Sequence, residues 1–318
     1  MNVLSAAAAR LMRNPPLLTL LLVVLVLIVA SLTLPGFGSY GHLRYIIELS
    51  AVIGIVAAGQ TLVILMGGID LSAGTVMTVT AILLPLMSPA FDPTGLVGII
   101  AILAIATLIG FLNGAGAAFL GVPPIIMTLA MATFLQGLLV IVAGGSAISV
   151  TNAAVIWLGQ ARPFGVPAGI ILWLIVSAVV LILIHRLPIG ARFLALGANP
   201  LAARLSGVSV SKHMLILYAL SGFFAGIGGI LILGMNRQGY VGIGEPYVLT
   251  SIAAVVLGGT SILGGRGTYA GTIPGAILLV TTTALITVIN ASPGWRSIMF
   301  GTLILALLLI SGREARSR

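Results

Sequence analysis

The chain has 318 residues, 60% of them hydrophobic and only 6% charged, with a mean hydropathy of +1.28. Soluble domains carry about 25% charged residues, so an ordinary water-soluble protein is excluded and lipid is the expected solvent. The 14 basic residues exceed the 5 acidic ones for a net charge of +9, and the absence of cysteine removes disulfides, thiolate metal sites and a cysteine nucleophile.

A membrane-spanning helix needs roughly 20 mostly apolar residues. In chain order such segments fall at 17–34, 45–66, 71–87, 96–120, 122–142, 166–184, 214–233, 247–263, 269–289 and 295–310. The chain therefore reads as an all-α integral membrane protein, a single transmembrane domain over 1–318 with about ten transmembrane helices. Segments 71–87, 247–263 and 295–310 are short enough to be re-entrant or broken. The first segment follows Arg10 and Arg13 but is long for a signal peptide, and no A-x-A site follows it, so it is expected to stay as a span.

With ten spans both termini share a side. That side receives Arg10, Arg13, Arg186, Arg192, Arg204, Lys212, Arg266, Arg313, Arg316 and Arg318, and the other receives Arg44, Arg162, Arg237 and Arg296, ten against four. The positive-inside rule then puts both termini in the cytoplasm, and it accounts for the basic charge without nucleic acid, for which no motif competes.

Several chemistries are excluded by absence. Lys212, the lone lysine, is preceded by Ser211 and makes no P-loop; no G-x-S-x-G or H-E-x-x-H occurs; and the G-x-G-x-x-G of Gly36, Gly38 and Gly41 follows an apolar span and Pro35, not a strand. His42, His185 and His213 fall at segment ends and read as solvated or capping groups. Glu48 and Asp70 lie near segment ends, Asp92 and Glu245 in external loops and Glu314 in the tail. No titratable group is therefore expected deep in the membrane to couple a proton or sodium ion, and energy is expected from a separate protein. No cofactor, metal or catalysis on the solute is expected.

The segment 186–213 is the longest cytoplasmic stretch and the most basic. Asn199 can cap a helix, Pro200 suits its first position, Leu201 and Leu205 are i and i+4, and Gly207 can close it. Such a short amphipathic helix is either an interfacial anchor or a coupling helix seated in the groove of an ATPase.

Glycines at Gly110 and Gly114, Gly222 and Gly226, Gly271 and Gly275 have the spacing that lets helices approach closely. Two glycine-rich passages, 67–74 and 258–265, interrupt apolar runs. A broken helix presents unpaired amides and carbonyls to a polar solute, which makes Gly67, Gly68, Asp70, Ser72, Gly258, Gly259, Thr260 and Ser261 the translocation-pathway candidates. Asp70 also reads as an N-cap for the following helix. Gln60, Thr61, Asn113, Thr128, Gln136 and Asn290 suit either a sugar hydroxyl or a neighbouring helix.

Three stretches carry a family resemblance: G-G-I-D-L-S-A-G at 67–74, G-A-N-P-L-A-A-R-L-S-G-V at 197–208 and S-I-A-A-V-V-L-G-G-T-S-I-L-G-G-R-G-T at 251–268. With them the chain resembles the permease subunits of bacterial ribose-, xylose- and arabinose-type ABC importers, in the branched-chain-type permease superfamily. The resemblance implies an inner-membrane permease that dimerises with a second permease copy, ABC ATPase subunits on its cytoplasmic face, a periplasmic sugar-binding protein and surrounding lipid. It implies ATPase docking on the stretch at 197–208, and so a coupling role for Asn199, Pro200, Ala202, Ala203, Arg204 and Gly207.

One departure is visible. Many members carry an acidic pair, roughly Y-E-L-D, before I-A-A-V, whereas this chain has Tyr247, Val248, Leu249 and Thr250, with its acid at Glu245. Charge-based docking of a binding protein would then fall to Arg44, Arg162, Arg237 and Arg296. The resulting expectation is ATP-driven import of a monosaccharide. The alternatives are an ion-coupled carrier or facilitator acting alone and a branched-chain amino-acid permease.

Overall fold

The computed structural model describes residues 14–87 and 95–289, together with 292, 294, 295, 298, 301 and 302. Its helices, in order, are α1 (Pro15–Thr33), α2 (Tyr40–Leu65), α3 (Ala73–Leu86), α4 (Leu96–Phe119), α5 (Pro124–Ala143), α6 (Ala153–Gln160), α7 (Ala168–His185), α8 (Pro188–Ala198), α9 (Pro200–Leu205), α10 (Val210–Asn236), α11 (Glu245–Leu257) and α12 (Tyr269–Val288). A two-residue antiparallel pairing joins β1 (Ile148–Ser149) to β2 (Gln238–Gly239).

Seven of these helices, α1, α2, α4, α5, α7, α10 and α12, are long and apolar enough to cross a membrane. The expected segments 71–87 and 247–263 form the shorter apolar helices α3 and α11, of 14 and 13 residues. Most of the expected segment 295–310, like Arg10, Arg13, Asp92, Asn290, Arg296 and the basic tail, lies outside the described residues.

The core is built around α2. Every residue from 50 to 66 is buried, and α10, α12, α11 and α7 pack around it. Small residues make this possible, because a helix surrounded on all sides must let its neighbours come close. A Cβ at Gly59 would lie 2.8 Å from the Ser221 Cα of α10, and the Trp173 indole of α7 fills the place of a side chain at Gly54. Trp173 Nε1 donates to Tyr269 Oη at 2.9 Å, and Tyr269 donates to the Gly54 carbonyl at 2.8 Å, which locks α2, α7 and α12 together.

The glycine pairs act as expected. A Cβ at either Gly110 or Gly222 would collide with the opposing backbone where α4 crosses α10, and Gly271 and Gly275 abut Gly258 and Ala254 where α12 crosses α11. By contrast α1 is apolar all round and leaves Leu20, Leu25 and Ile28 about half exposed, as a lipid-facing helix does.

Two short helices escape the hydropathy reading. In α6 the Asn152 side chain caps the Val155 amide at 3.1 Å. In α8 Pro188 occupies the first turn, and Phe193 and Leu196, three apart, are buried. Both are too short to register as apolar runs of membrane length.

Candidate functional site

The first glycine-broken passage begins where α2 ends. Gly67 turns the chain with φ +87°, a conformation open to glycine at no steric cost, and residues 68–72 then return into the bundle before α3 starts. Asp70 is fully buried there. Its Oδ1 accepts from the Ser72 amide at 2.9 Å and the Ser72 hydroxyl at 2.6 Å, and its Oδ2 accepts from Ser221 Oγ of α10 at 2.7 Å. The carboxylate does hold the start of α3, but through a turn to the residue two ahead; Ser72 occupies the cap position.

The burial of Asp70 corrects the expectation that no titratable group sits inside the bundle. Proximity to a segment end in sequence does not prevent a segment end from folding inward, and three hydroxyl and amide donors replace the water the carboxylate loses. The histidines need a similar correction. His213 is 5% exposed, with Nδ1 2.6 Å from the Ser209 carbonyl and its ring edge-on to Phe193 at 5.9 Å. His185 is exposed in the last turn of α7, 2.7 Å from Thr268 Oγ1.

Five of the polar residues left open by sequence, Gln60, Thr61, Asn113, Thr128 and Gln136, bond to protein. Gln60 brackets the Asp70 backbone, donating to its carbonyl and accepting its amide at 3.3 Å. Thr128 accepts the Leu71 amide at 3.1 Å, and Asn113 donates to Ser72 Oγ at 2.8 Å. Thr61 pairs with Thr272 at 3.1 Å, and Gln136 donates to Glu245 at 2.7 Å. Asn113 Oδ1 and Thr260 Oγ1 stay buried without a hydrogen-bond partner.

The second passage, 258–268, comes back against the first. The Gly265 amide donates to the Leu65 carbonyl at 2.9 Å, and a Cβ at Gly264 would lie 2.7 Å from the Gly67 nitrogen. Gly258 is clamped on Gly271, while Gly259, with φ +89°, abuts Pro15. Ser261 closes its own turn by donating its amide to the Arg266 carbonyl at 2.9 Å.

The loop between α7 and α10 reaches the end of α2 and the second passage. Gly197, at the end of α8, is pressed onto the Leu65 carbonyl and the Gly265 nitrogen so closely that a side chain has no room, and a Cβ at Gly265 would meet Ala198 at 2.7 Å. Next in the chain, Asn199 caps α9 by accepting the Ala202 amide at 3.0 Å. Gly207 then ends it with φ +83° and nothing within 4 Å of its Cβ position. Ala203 is buried, whereas Leu201 and Leu205 are 68% and 81% exposed, so the apolar face of α9 points away from the bundle. The contacts to this junction come from Gly197 and Ala198, while α9, which carries the coupling candidates Asn199, Pro200, Ala202, Ala203, Arg204 and Gly207, packs on α8 and α10.

Three of the arginines assigned to the other face, Arg44, Arg162 and Arg237, lie at the opposite end of α2. Arg44 pairs with Glu48 at 3.4 Å, Arg237 donates to Gln160 Oε1 at 2.6 Å, and Arg162 shares one cleft with Glu48 and Gln160.

Among the described residues, helices with an apolar exterior, and broken segments that meet a basic loop at one end, define a multi-pass membrane permease. The chain belongs to the family described as branched-chain amino acid transport system / permease component, whose model matches residues 42–308. It is 34% identical over 292 residues to the ribose import permease protein RbsC of Escherichia coli strain K12, covering 91% of each chain. It is 31% identical to the RbsC of Bacillus subtilis, over 91% of this chain and 90% of that one. To the L-arabinose transport system permease protein AraH of Escherichia coli it is 29% identical, over 92% and 88%. No solved structure matches it significantly.

Proposed function

We propose that this protein is the membrane-spanning permease subunit of an ATP-driven importer for a monosaccharide. It resides in a bacterial inner membrane with both termini in the cytoplasm, and it crosses about ten times when the short helices α3 and α11 and the segment 295–310 are counted. Its partners are ABC ATPase subunits, a periplasmic sugar-binding protein and a second permease copy, identical or not.

The observation that carries this reading is the packing of Gly197 on Leu65 and Gly265. Any displacement of α9 by an attached ATPase must reach the end of α2 and the second glycine-broken passage, because no compliant side chain lies between the backbones to absorb it. The names of the relatives, which import ribose, fructose and arabinose, support the solute class. The pathway candidates Gly67, Gly68, Asp70, Ser72, Gly258, Gly259, Thr260 and Ser261 then act as the inner gate, whose rearrangement opens the bundle to the cytoplasm.

The test is a comparison of wild type with Gly207→Trp in proteoliposomes containing the ATPase and binding protein. Nothing in the chain contacts the Gly207 Cβ position, so the substitution costs about 1–2 kcal/mol of left-handed backbone strain. The expected result is normal insertion with uptake of radiolabelled D-ribose, D-fructose or L-arabinose reduced at least tenfold. Unchanged uptake and unchanged co-purification of the ATPase would overturn the docking assignment. Sugar accumulation by the permease alone under a proton or sodium gradient would favour an ion-coupled carrier, for which the buried Asp70 is the one specific observation.

A further inference from the structure

At the end of the bundle opposite the basic loop lies a cavity of about 350 Å³, walled by the first turns of α2, the last turn of α10, the start of α11 and the second half of α12. Its size falls in the range of roughly 300–1,000 Å³ typical of small-molecule sites. A deeper extension of about 130 Å³ shares Leu49, Tyr247 and Thr283 with it and runs inward to Ile53 and Thr250. From His42 to Ile53 is eleven residues of α2, or about 16 Å at 1.5 Å per residue, so the space leads well into the membrane.

The chemistry of its wall is distinctive. Tyr45, Tyr240 and Tyr247 converge on it from three separate segments, joined by Asn236 and Thr283. The side-chain hydroxyls of those tyrosines and of Thr283, and the Asn236 amide, have no intramolecular hydrogen bond among the described residues. No Asp, Glu, Lys or Arg is among the described lining residues of this cavity. An adjoining cleft carries Glu48 and Arg162, but Glu48 is already paired with Arg44.

We propose that this tyrosine-walled cavity is the permease's solute-binding site, and that it takes a neutral polyhydroxylated ring in preference to a zwitterionic amino acid. The proposal rests on the importer reading and supplies its missing site. Phenol faces accept the C–H face of a sugar ring, and phenol, amide and hydroxyl groups each both donate and accept, matching hydroxyls of either polarity. An amino acid brings a carboxylate and an ammonium, each of which needs an opposite charge to replace its water, and among the described lining residues there is no Asp, Glu, Lys or Arg, His42 being the one titratable side chain besides the tyrosines. At the inner junction the Asp70 carboxylate already accepts three protein hydrogen bonds, whereas the cavity hydroxyls and the Asn236 amide accept none from the described residues.

The absence of native cysteine makes the test direct. Asn236→Cys and Thr283→Cys are introduced separately into right-side-out proteoliposomes of the permease with its ATPase and binding protein, and treated with a membrane-impermeant thiosulfonate. The expected result is labelling from outside, slowed at least fivefold by saturating D-ribose, D-fructose or L-arabinose and not by L-leucine, with labelled transporter losing uptake at least tenfold. Tyr247→Ala should lower uptake at least tenfold, and combined with Thr283→Cys it should abolish the protection by sugar. Labelling that no sugar slows, with uptake surviving it, overturns the site even if wild type transports sugar. Protection by L-leucine alone overturns the ligand class, and wild type inert toward all three sugars overturns the importer reading beneath both.

Discussion

Asp70 accepts three hydrogen bonds from Ser72 and Ser221, and through them one carboxylate ties the turn before α3 to the middle of α10. Removing it strands two hydroxyls and an amide in a buried setting, where hydrogen bonds to a charged group contribute about 1.5–3 kcal/mol each and orphaned donors cost a similar amount. Asp70→Ala is therefore expected to destabilise the protein by roughly 3 kcal/mol. Asp70→Asn should cost less, because its carbonyl still accepts from Ser72. Thermal unfolding of the detergent-solubilised protein measures both, and a cycle with Ser221→Ala should return a coupling of about 1–3 kcal/mol. Additive losses would show that the Ser221 bond carries no stability. Gly197 and Gly207 illustrate how the same residue type does different work ten positions apart. The first has opposing backbone where a side chain would go, and the second has open space but a left-handed φ.

At the scale of elements, α9 is the segment whose form and surroundings diverge most. Six residues are too few to be stable as an isolated helix, so its cap at Asn199, the preset φ of Pro200 and the tether to α8 must hold it. Having fixed it, the fold leaves Leu201 and Leu205 uncovered. The double substitution Leu201→Asp with Leu205→Asp should leave the unfolding temperature nearly unchanged, since exposed positions contribute within about 0.5 kcal/mol. Capture of the ATPase subunit on affinity purification should fall at least tenfold. Retained capture would show that this face meets lipid and not the ATPase. The paired glycine passages also belong to this scale. Each interrupts an apolar run, and in the structure they pack on each other at Gly264 and Gly67, beside the hydrogen bond from Gly265 to Leu65 at the end of α2.

At the scale of the molecule, the two ends of α2 mark two different chemistries: the glycine junction under the basic loop, and the tyrosine-walled cavity beside Arg44 and Arg162. Their separation predicts a fixed orientation. With no cysteine in the background, Arg204→Cys should resist an impermeant maleimide in intact cells, and Arg162→Cys should react; the reverse pattern would invert the topology. Composition and hydropathy determined by themselves that the chain is helical, lies in lipid and has apolar segments where helices stand at each expected position that the described residues cover, because burial in hydrocarbon leaves a visible, local signature. The cap at Asn199 and the close-packing glycines were legible for the same reason, since their signals span only a few residues. Tertiary structure alone decided that Asp70 points inward, that His213 is buried, and that Tyr45, Tyr240 and Tyr247 share a wall. Those facts depend on partners as far away as the 151 residues between Asp70 and Ser221, and contacts at that range leave no periodic trace in the sequence.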